Sequence, residues 1–302
     1  MKKNVIDIMI DFETFGRQPN SVPINFAAVA FDRHNTYNPF VLTNMDIRKC
    51  TSDSVRDVDV VLGGMLLSSR RSVKNENYCK DLQSRAFFSH FSVMECIMRG
   101  LVIEPETQSW WMQQDKEAKD ALQPWTADKK SISRVINLFI SWVQLLLAEQ
   151  PNSELCLWAQ GSDFDIAKLR YLVSLMGNDT QQLFNRFIPH TSFRDARTAI
   201  LELGAMLFDG KKGFSVGASG TMFTDGEPNK KDELDNFNDI YARIPSFEHW
   251  ALSDEFSECA PVMANYLIDV AQSGFAHHSL YDCMRSIYNL WWLSQAIDSQ
   301  FK

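Results

Sequence analysis

The apolar segment near the start of the chain, and the two acids that end it, restrict the fold more than any other feature. Segment 5–10, VIDIMI, is almost wholly apolar and is followed at once by Asp11 and Glu13. Residues i and i+2 of a strand point to the same face, so the two carboxylates lie together. Ionised carboxylates at the end of a buried strand are costly unless a cation lies between them, and hard oxygen ligands suit Mg²⁺ or Mn²⁺. The alternative is a strand end at which both acids face water.

The spacing of apolar residues along the rest of the chain predicts an α/β fold. Strands are expected at 4–10, 24–32, 38–43 and 155–159, the first three as an antiparallel meander. Helices are expected from 104, at 132–149, at 163–176 with Ser162 as its cap, and near 258–273 and 279–299. Stretches near 46–85 and 209–250 are polar and irregular, which is typical of insertions. We therefore expect a single domain over 1–302 with two insertions.

Composition excludes several classes of protein. A formal net charge of −8 and a pI of about 5.3 argue against coating nucleic acid over the whole surface, but they allow one local basic groove. The six cysteines are scattered and form no C-x-x-C pair, so neither a zinc cluster nor a disulfide framework is expected. No apolar run approaches the ~20 residues of a membrane span, and Asp7 and Asp11 interrupt any signal-peptide pattern. These features predict a cytoplasmic protein.

A second pair of acids follows the short apolar strand at 155–159. The segment WAQGSDFDIAKL leads through a glycine turn into a helix, with Asp163 and Asp165 near the helix start. Ligands of α/β sheets gather where strands end, so these acids are candidates for a binding site. Acids are also favoured in the first turn of any helix, so helix capping is the alternative.

A third group lies at the start of the last helix, in GFAHHSLYDCMRSI. Ser279 and Asp282 match the S-x-x-D capping box, which accounts for Asp282 structurally. It leaves two histidines unexplained. A histidine at 277, just before the helix, can swing over the first turn, and a histidine with a pKa near neutrality is a natural general base. A pair of surface histidines is the alternative.

Taken together, these residues resemble the DnaQ-like, or DEDDh, family of 3′–5′ exonucleases. The D-x-E motif is matched by Asp11 and Glu13, the second motif by GSDFD with Asp165 as the aligned acid, and H-x-x-x-x-D by His277 and Asp282. A histidine instead of a tyrosine in the third motif is typical of the DEDDh branch. The motifs most resemble those of phage DexA-type exonucleases. The stretches near 46–85 and 209–250 depart from the family. The resemblance implies an RNase H-like fold, a mixed five-stranded sheet flanked by helices.

The resemblance also implies a reaction. Asp11, Glu13, Asp165 and Asp282 would hold two divalent ions, Mg²⁺ or Mn²⁺, about 4 Å apart. His277 would help to activate water, and Thr14 and Phe15 would line the terminal nucleotide. The expected activity is release of nucleoside 5′-monophosphates from single-stranded 3′ ends. DNA is the preferred substrate by this resemblance and RNA the alternative. A catalytically silent nucleic-acid-binding module is the rival from another class.

Two adjacent tryptophans, Trp110 and Trp111, lie in a helix that is otherwise mainly polar. Neighbouring residues of a helix cannot both face one core stripe. One tryptophan can therefore pack inward while the other stacks on a base, as in proteins that bind single strands. The alternative is that both only shield the core.

Overall fold

The computed structural model describes residues 5–36, 39–40, 86–114, 119, 129–150, 153–209, 238–251, 253 and 278–300. Six strands are present in these residues: β1 (Val5–Thr14), β2 (Pro23–Phe31), β3 (Ala86–Phe91), β4 (Lys129–Lys130), β5 (Glu154–Ala159) and β6 (Phe193–Asp195). The α-helices are α1 (Val93–Met98), α2 (Pro105–Gln113), α3 (Ile132–Glu149), α4 (Asp165–Ser174), α5 (Asn178–Phe187), α6 (Ala196–Asp209), α7 (Phe247–Ala251) and α8 (Ser279–Gln300).

The strands form one mixed sheet in the order β4-β3-β2-β1-β5-β6. β2 is antiparallel to both β1 and β3, whereas β5 runs parallel to β1 and β6 parallel to β5. A parallel pair needs a long crossover, and the chain between β2 and β5 supplies one. The sheet is flanked by helices, which is compatible with an RNase H-like fold. It has six strands in the described part of the chain, so the predicted count of five is wrong.

The predicted third strand, 38–43, is described only at residues 39–40, which form a turn; 38 and 41–43 lie outside the described residues. The strand that pairs with β2 is β3, which was not predicted. Both AFFSHF and NPFVLT are short apolar runs, and periodicity does not separate such runs. β4 and β6 have only two and three residues, too few for any periodic signal.

Each face of the sheet carries its own hydrophobic core. On one face, α8 and α6 pack over residues such as Met9 and Val29. On the other face, α3 and α4 cover Ile8, Ile10 and Phe26. β1 is therefore central in the sheet and buried on both sides, and its carboxyl end leads to a place where acidic side chains gather.

The predicted helices agree with the structure where it describes them, apart from two caps: Ser162, and Ser279, which is the first residue of α8 and not the residue that caps it. α3 is confirmed at 132–149, α2 begins at Pro105, and α8 covers the predicted 279–299. Helix α4 begins at Asp165 with Phe164 as its N-cap, so Ser162 as the cap is wrong. The Ser162 N–H instead donates to Asp195 Oδ2 at 2.7 Å, because the turn brings it to β6.

The predicted insertions are covered only in small part. Nearly all of 46–85, all of 210–237 and the expected helix at 258–273 lie outside the described residues. At the end of the second segment, Ile240, Ile244 and Phe247 are buried in the core beneath α8. In the part of the chain that is described, no helix combines the length and apolar character needed to cross a membrane.

Candidate metal centre

The carboxyl end of β1 brings together side chains from three distant parts of the sequence. Asp11 and Glu13 alternate with Phe12, so both carboxylates share the face of the sheet that α8 covers. The first turn of α8 supplies Asp282, and the first turn of α4 supplies Asp165. Because β5 runs parallel to β1, the turn after β5 delivers α4 to the same edge. All four predicted acids therefore lie in one region.

Three of these acids form a tight cluster. One carboxylate oxygen each from Asp11, Glu13 and Asp282 lie within 4.8 Å of one another. Asp165 lies beside this triad and is buried, and its Oδ1 accepts a hydrogen bond from the Phe12 N–H at 3.1 Å. This hydrogen bond fixes Asp165 to the backbone between the two acids of β1.

The electrostatics of this region favour a bound cation. Burial raises the pKa of Asp11 well above its usual range, and the charges of Asp165, Asp282 and Glu13 raise it further. The pKa of Glu13 is also raised, first by burial and then by the charges of Asp282 and Asp165. Burial also raises the pKa of Asp165, although the Phe12 N–H and the charge of Lys168 act in the opposite direction.

Mutual repulsion of this kind is relieved by a divalent ion. The donor set consists of carboxylate oxygens, which suit Mg²⁺ or Mn²⁺. Two described cationic side chains act on these acids: the part-exposed Arg285, whose guanidinium lies 2.8 Å from Asp282 Oδ1, and Lys168, whose charge acts on Asp165. Two cations do not balance four carboxylates, so the residues present fit a metal site.

The turn before α4 distinguishes between the two acids of the second motif. Gly161 has a φ of +104°, a conformation that favours glycine, and it lets the chain leave β5 and enter α4 at once. Asp163 is exposed in this turn, whereas Asp165 is buried at the site. The burial of Asp165 at the site therefore agrees with the motif match, which selected Asp165, and the exposed Asp163 is not part of the acidic cluster.

His277 lies outside the described residues, and its neighbour His278 is fully buried. The His278 ring stacks on Phe88 with centroids 5.0 Å apart, and its Nδ1 accepts the Leu280 N–H at 3.3 Å. Burial lowers the pKa of His278 to about 3, and nearby His90 acts in the same direction. His278 is therefore a neutral core residue at physiological pH, unsuited to acting as a base.

The residues that follow the metal ligands are held firmly. Thr14 is buried, its Oγ1 donates to the Gly16 carbonyl at 2.6 Å, and its own carbonyl accepts from Trp111 Nε1 at 2.9 Å. Phe15 is half-buried against Trp111 and Ile24. The structure thus places both predicted nucleotide-lining residues directly beside the acidic cluster.

The two tryptophans differ in burial, and stacking of one of them on a base stays a prediction. Trp111 is buried and bonded to Thr14, whereas 40% of Trp110 is exposed. Their rings meet edge to face with centroids 4.8 Å apart. Trp111 therefore fixes the end of β1, and Trp110 presents aromatic surface next to it.

Sequence reasoning missed two charged residues at this site. Lys168 is fully buried in α4, and burial lowers its pKa to about 7 against the opposing charges of Glu104 and Asp165. Glu104 precedes α2, and the backbone N–H groups of Arg17 and Gln18 hold the pKa of its carboxyl below the usual range. In the sequence both residues look like ordinary polar helix positions. Only the fold brings them to the loop after β1.

Comparison with known proteins gives the family. No curated protein sequence matches the chain. The model of the 3′-5′ exoribonuclease Rv2179c-like domain matches residues 6–297, and this match takes in all four acids and His277. The chain therefore belongs to the 3′-5′ exoribonuclease Rv2179c-like domain family, a family of DnaQ-like exonucleases.

Proposed function

We propose that this chain is a DEDDh-type 3′–5′ exonuclease that uses two divalent ions, Mg²⁺ or Mn²⁺. It would release nucleoside 5′-monophosphates from single-stranded 3′ ends. The observation that carries the proposal is the convergence of Asp11, Glu13 and Asp282 within 4.8 Å, with buried Asp165 beside them. Membership of a 3′–5′ exonuclease family supports the reaction.

The four carboxylates would hold the ions. Bound Mg²⁺ or Mn²⁺ supplies charge stabilisation for the phosphate in the transition state and lowers the pKa of water. His277 is proposed as the base that takes the proton of the attacking water, since the buried His278 is unsuited to this task. Thr14 and Phe15 would receive the terminal nucleotide, and Trp111 fixes the Thr14 carbonyl so that this surface is formed before substrate binds.

Two substrates have separate support. The family description names an exoribonuclease, which favours RNA. The motifs resemble those of phage DexA-type enzymes, which favours DNA. A site that contacts mainly phosphate and base accepts either sugar unless a group reads the 2′-hydroxyl. The experiment must therefore offer both.

We further propose that 1–302 is one exonuclease domain with extra segments near 46–85 and 209–250, acting in the cytoplasm. The core residues of α7 and α8 pack on the same sheet that carries the acids, which supports one domain. Cys96, Cys156 and Cys283 are buried free thiols, which supports a reducing compartment. The rival, a silent binding module, has to explain why four acids are kept together at a cost in repulsion.

Digestion of 5′-labelled DNA and RNA oligonucleotides of equal sequence tests the proposal, with Mg²⁺, with Mn²⁺ and with chelator. A metal-dependent ladder that shortens from the 3′ end is expected, and the faster ladder identifies the sugar. Thermal unfolding gives a check that does not depend on activity, since an ion bound only by the folded state at about 100 times its Kd adds roughly 2.7 kcal/mol of stability. Intact oligonucleotides and an unchanged melting temperature together would favour the silent module.

A further inference from the structure

The most unusual side chain outside the acidic cluster is Lys168, a lysine with 0% exposure. Its Nζ donates to the Gln18 carbonyl at 2.6 Å, to the Ser21 carbonyl at 2.9 Å and to Ser21 Oγ. An ammonium group has three N–H donors, and these three acceptors use all of them. Every acceptor belongs to the loop between β1 and β2. Lys168 therefore ties α4, the helix of Asp165, to the loop that follows Asp11 and Glu13.

Glu104 holds the same loop through different backbone groups. Its carboxylate oxygens accept the N–H groups of Arg17 and Gln18, each at 3.0 Å, and its own N–H donates to the Phe15 carbonyl at 2.8 Å. Two backbone hydrogen bonds to a carboxylate are charge-assisted and stronger than neutral ones. Glu104 stands directly before α2, the helix that carries Trp111.

Gly16 lies against Glu104 and Ser21, with no space for a side chain. A Cβ atom at position 16 would come within 2.6 Å of Glu104 Cδ and 2.7 Å of Ser21 Cβ. Backbone hydrogen bonds hold the rest of the loop: the Phe15 N–H donates to the Val22 carbonyl at 2.8 Å, and the Val22 N–H donates to the Val102 carbonyl at 2.9 Å. The loop is therefore held by specific groups and not by apolar packing alone.

We propose that Lys168 and Glu104 form a loop clamp, a pair of positioning residues that holds residues 15–22 so that Thr14 and Phe15 are ready for the terminal nucleotide. This inference rests on the proposed function. The clamp acts on the surface that receives the nucleotide and leaves the carboxylates that hold the ions unchanged. Without the clamp, the loop would have to become ordered when substrate binds, and the free energy of binding would fall by that cost. Loss of the clamp therefore weakens substrate binding more than it slows the chemical step.

Lys168→Met tests the clamp, because methionine keeps much of the side-chain volume and removes the ammonium. We expect KM for the oligonucleotide to rise about tenfold with kcat within about twofold, as for a loss of uniform binding. The affinity for Mn²⁺, measured by calorimetry, should stay as in the wild type. Lys129→Met is the matched control, since Lys129 is an exposed lysine on β4, the edge strand of the sheet. It should change neither quantity.

Glu104→Ala provides a second variant at a part-exposed position, where folding does not depend on a buried charge. It should raise KM in the same way, and Glu104→Gln, which keeps an acceptor oxygen, should recover part of the loss. Amide hydrogen exchange adds a readout that is independent of catalysis. The amides of Arg17, Gln18 and Val22 should exchange faster in both loss variants, and those in the middle of β1 should not.

Three results would overturn the clamp: unchanged loop exchange in both variants, faster exchange with unchanged KM, or a fall in kcat or Mn²⁺ affinity at constant KM. The last would mean that Lys168 acts through the charge of Asp165. An inactive wild type is a different result, because it contradicts the exonuclease proposal. Exchange of the loop amides then still reports on whether the two residues hold the loop.

Discussion

Strand β1 carries acids near both ends, and their surroundings differ. Asp7 is 2% exposed. Its Oδ1 accepts a hydrogen bond from Trp158 Nε1 at 2.7 Å, and its Oδ2 lies 3.5 Å from Arg33 Nε. Asp11 and Glu13, on the same face of the strand, have acids as their main electrostatic neighbours. Burial raises the pKa at both ends, but at Asp7 an arginine and a hydrogen-bond donor oppose the rise. Burial of an acid is therefore not a sign of function, whereas burial among other acids is.

The largest effect is expected at the site end of this comparison. Asp165→Asn keeps an oxygen that can accept the Phe12 N–H and removes the charge. The several kcal/mol that metal coordination contributes to the transition state corresponds to a loss of turnover on the order of 10³-fold or more. Without metal, the melting temperature should be unchanged or higher, because one repelling charge is gone. A turnover close to that of the wild type would remove Asp165 from the metal site.

The adjacent histidines His277 and His278 allow the same comparison between a catalytic and a structural residue, here for the proposed general base. His277→Ala should lower kcat on the order of 10²–10⁴-fold, as the loss of a general base does, with little change in stability. His278→Gln is the matched variant. It removes the ring stacked on Phe88, so we expect it to lower the melting temperature and to leave kcat of the folded protein nearly unchanged. The reverse pattern in kcat would show that the motif register is wrong by one residue.

Asp7→Ala tests the structural end of the strand. It removes the acceptor of Trp158 Nε1 and the ionic partner of Arg33, and a buried donor that loses its partner costs about 1–3 kcal/mol. We expect this loss in the free energy of unfolding by urea denaturation. The value of kcat/KM for the folded fraction should stay as in the wild type. Loss of activity at native stability would contradict the division between the two ends of β1.

The contrast also explains how far the sequence could predict this molecule. Long elements such as α3 and β1 have many residues in one pattern, so their period is read easily, and each catalytic motif lies within a few residues. Strand β3, which was not predicted, and the two- and three-residue strands β4 and β6 carry too little pattern. Lys168 was not predicted because its partners Gln18 and Ser21 are about 150 residues away, and nothing local marks a lysine as buried.

The smallest effect is expected at Trp110, where the same distinction between satisfied and available groups applies to two adjacent rings. Trp111 is buried and bonded to the Thr14 carbonyl, whereas 40% of Trp110 faces solvent beside the proposed nucleotide surface. Stacking of one base on an aromatic ring is worth about 1–3 kcal/mol. Because Trp110 also contacts Trp111, we expect the lower value. Trp110→Ala should therefore raise KM for oligonucleotides about fivefold.

Met112→Ala is the control for this last change, since Met112 is a more exposed apolar residue of the same helix, and it should leave KM unchanged. Trp111→Ala should instead lower stability, because it opens a cavity and frees the Thr14 carbonyl. Equal KM values for the Trp110 variant and the wild type would mean that the exposed ring only shields Trp111. Recognition of the single strand would then rest on Thr14, Phe15 and the loop that Lys168 and Glu104 hold.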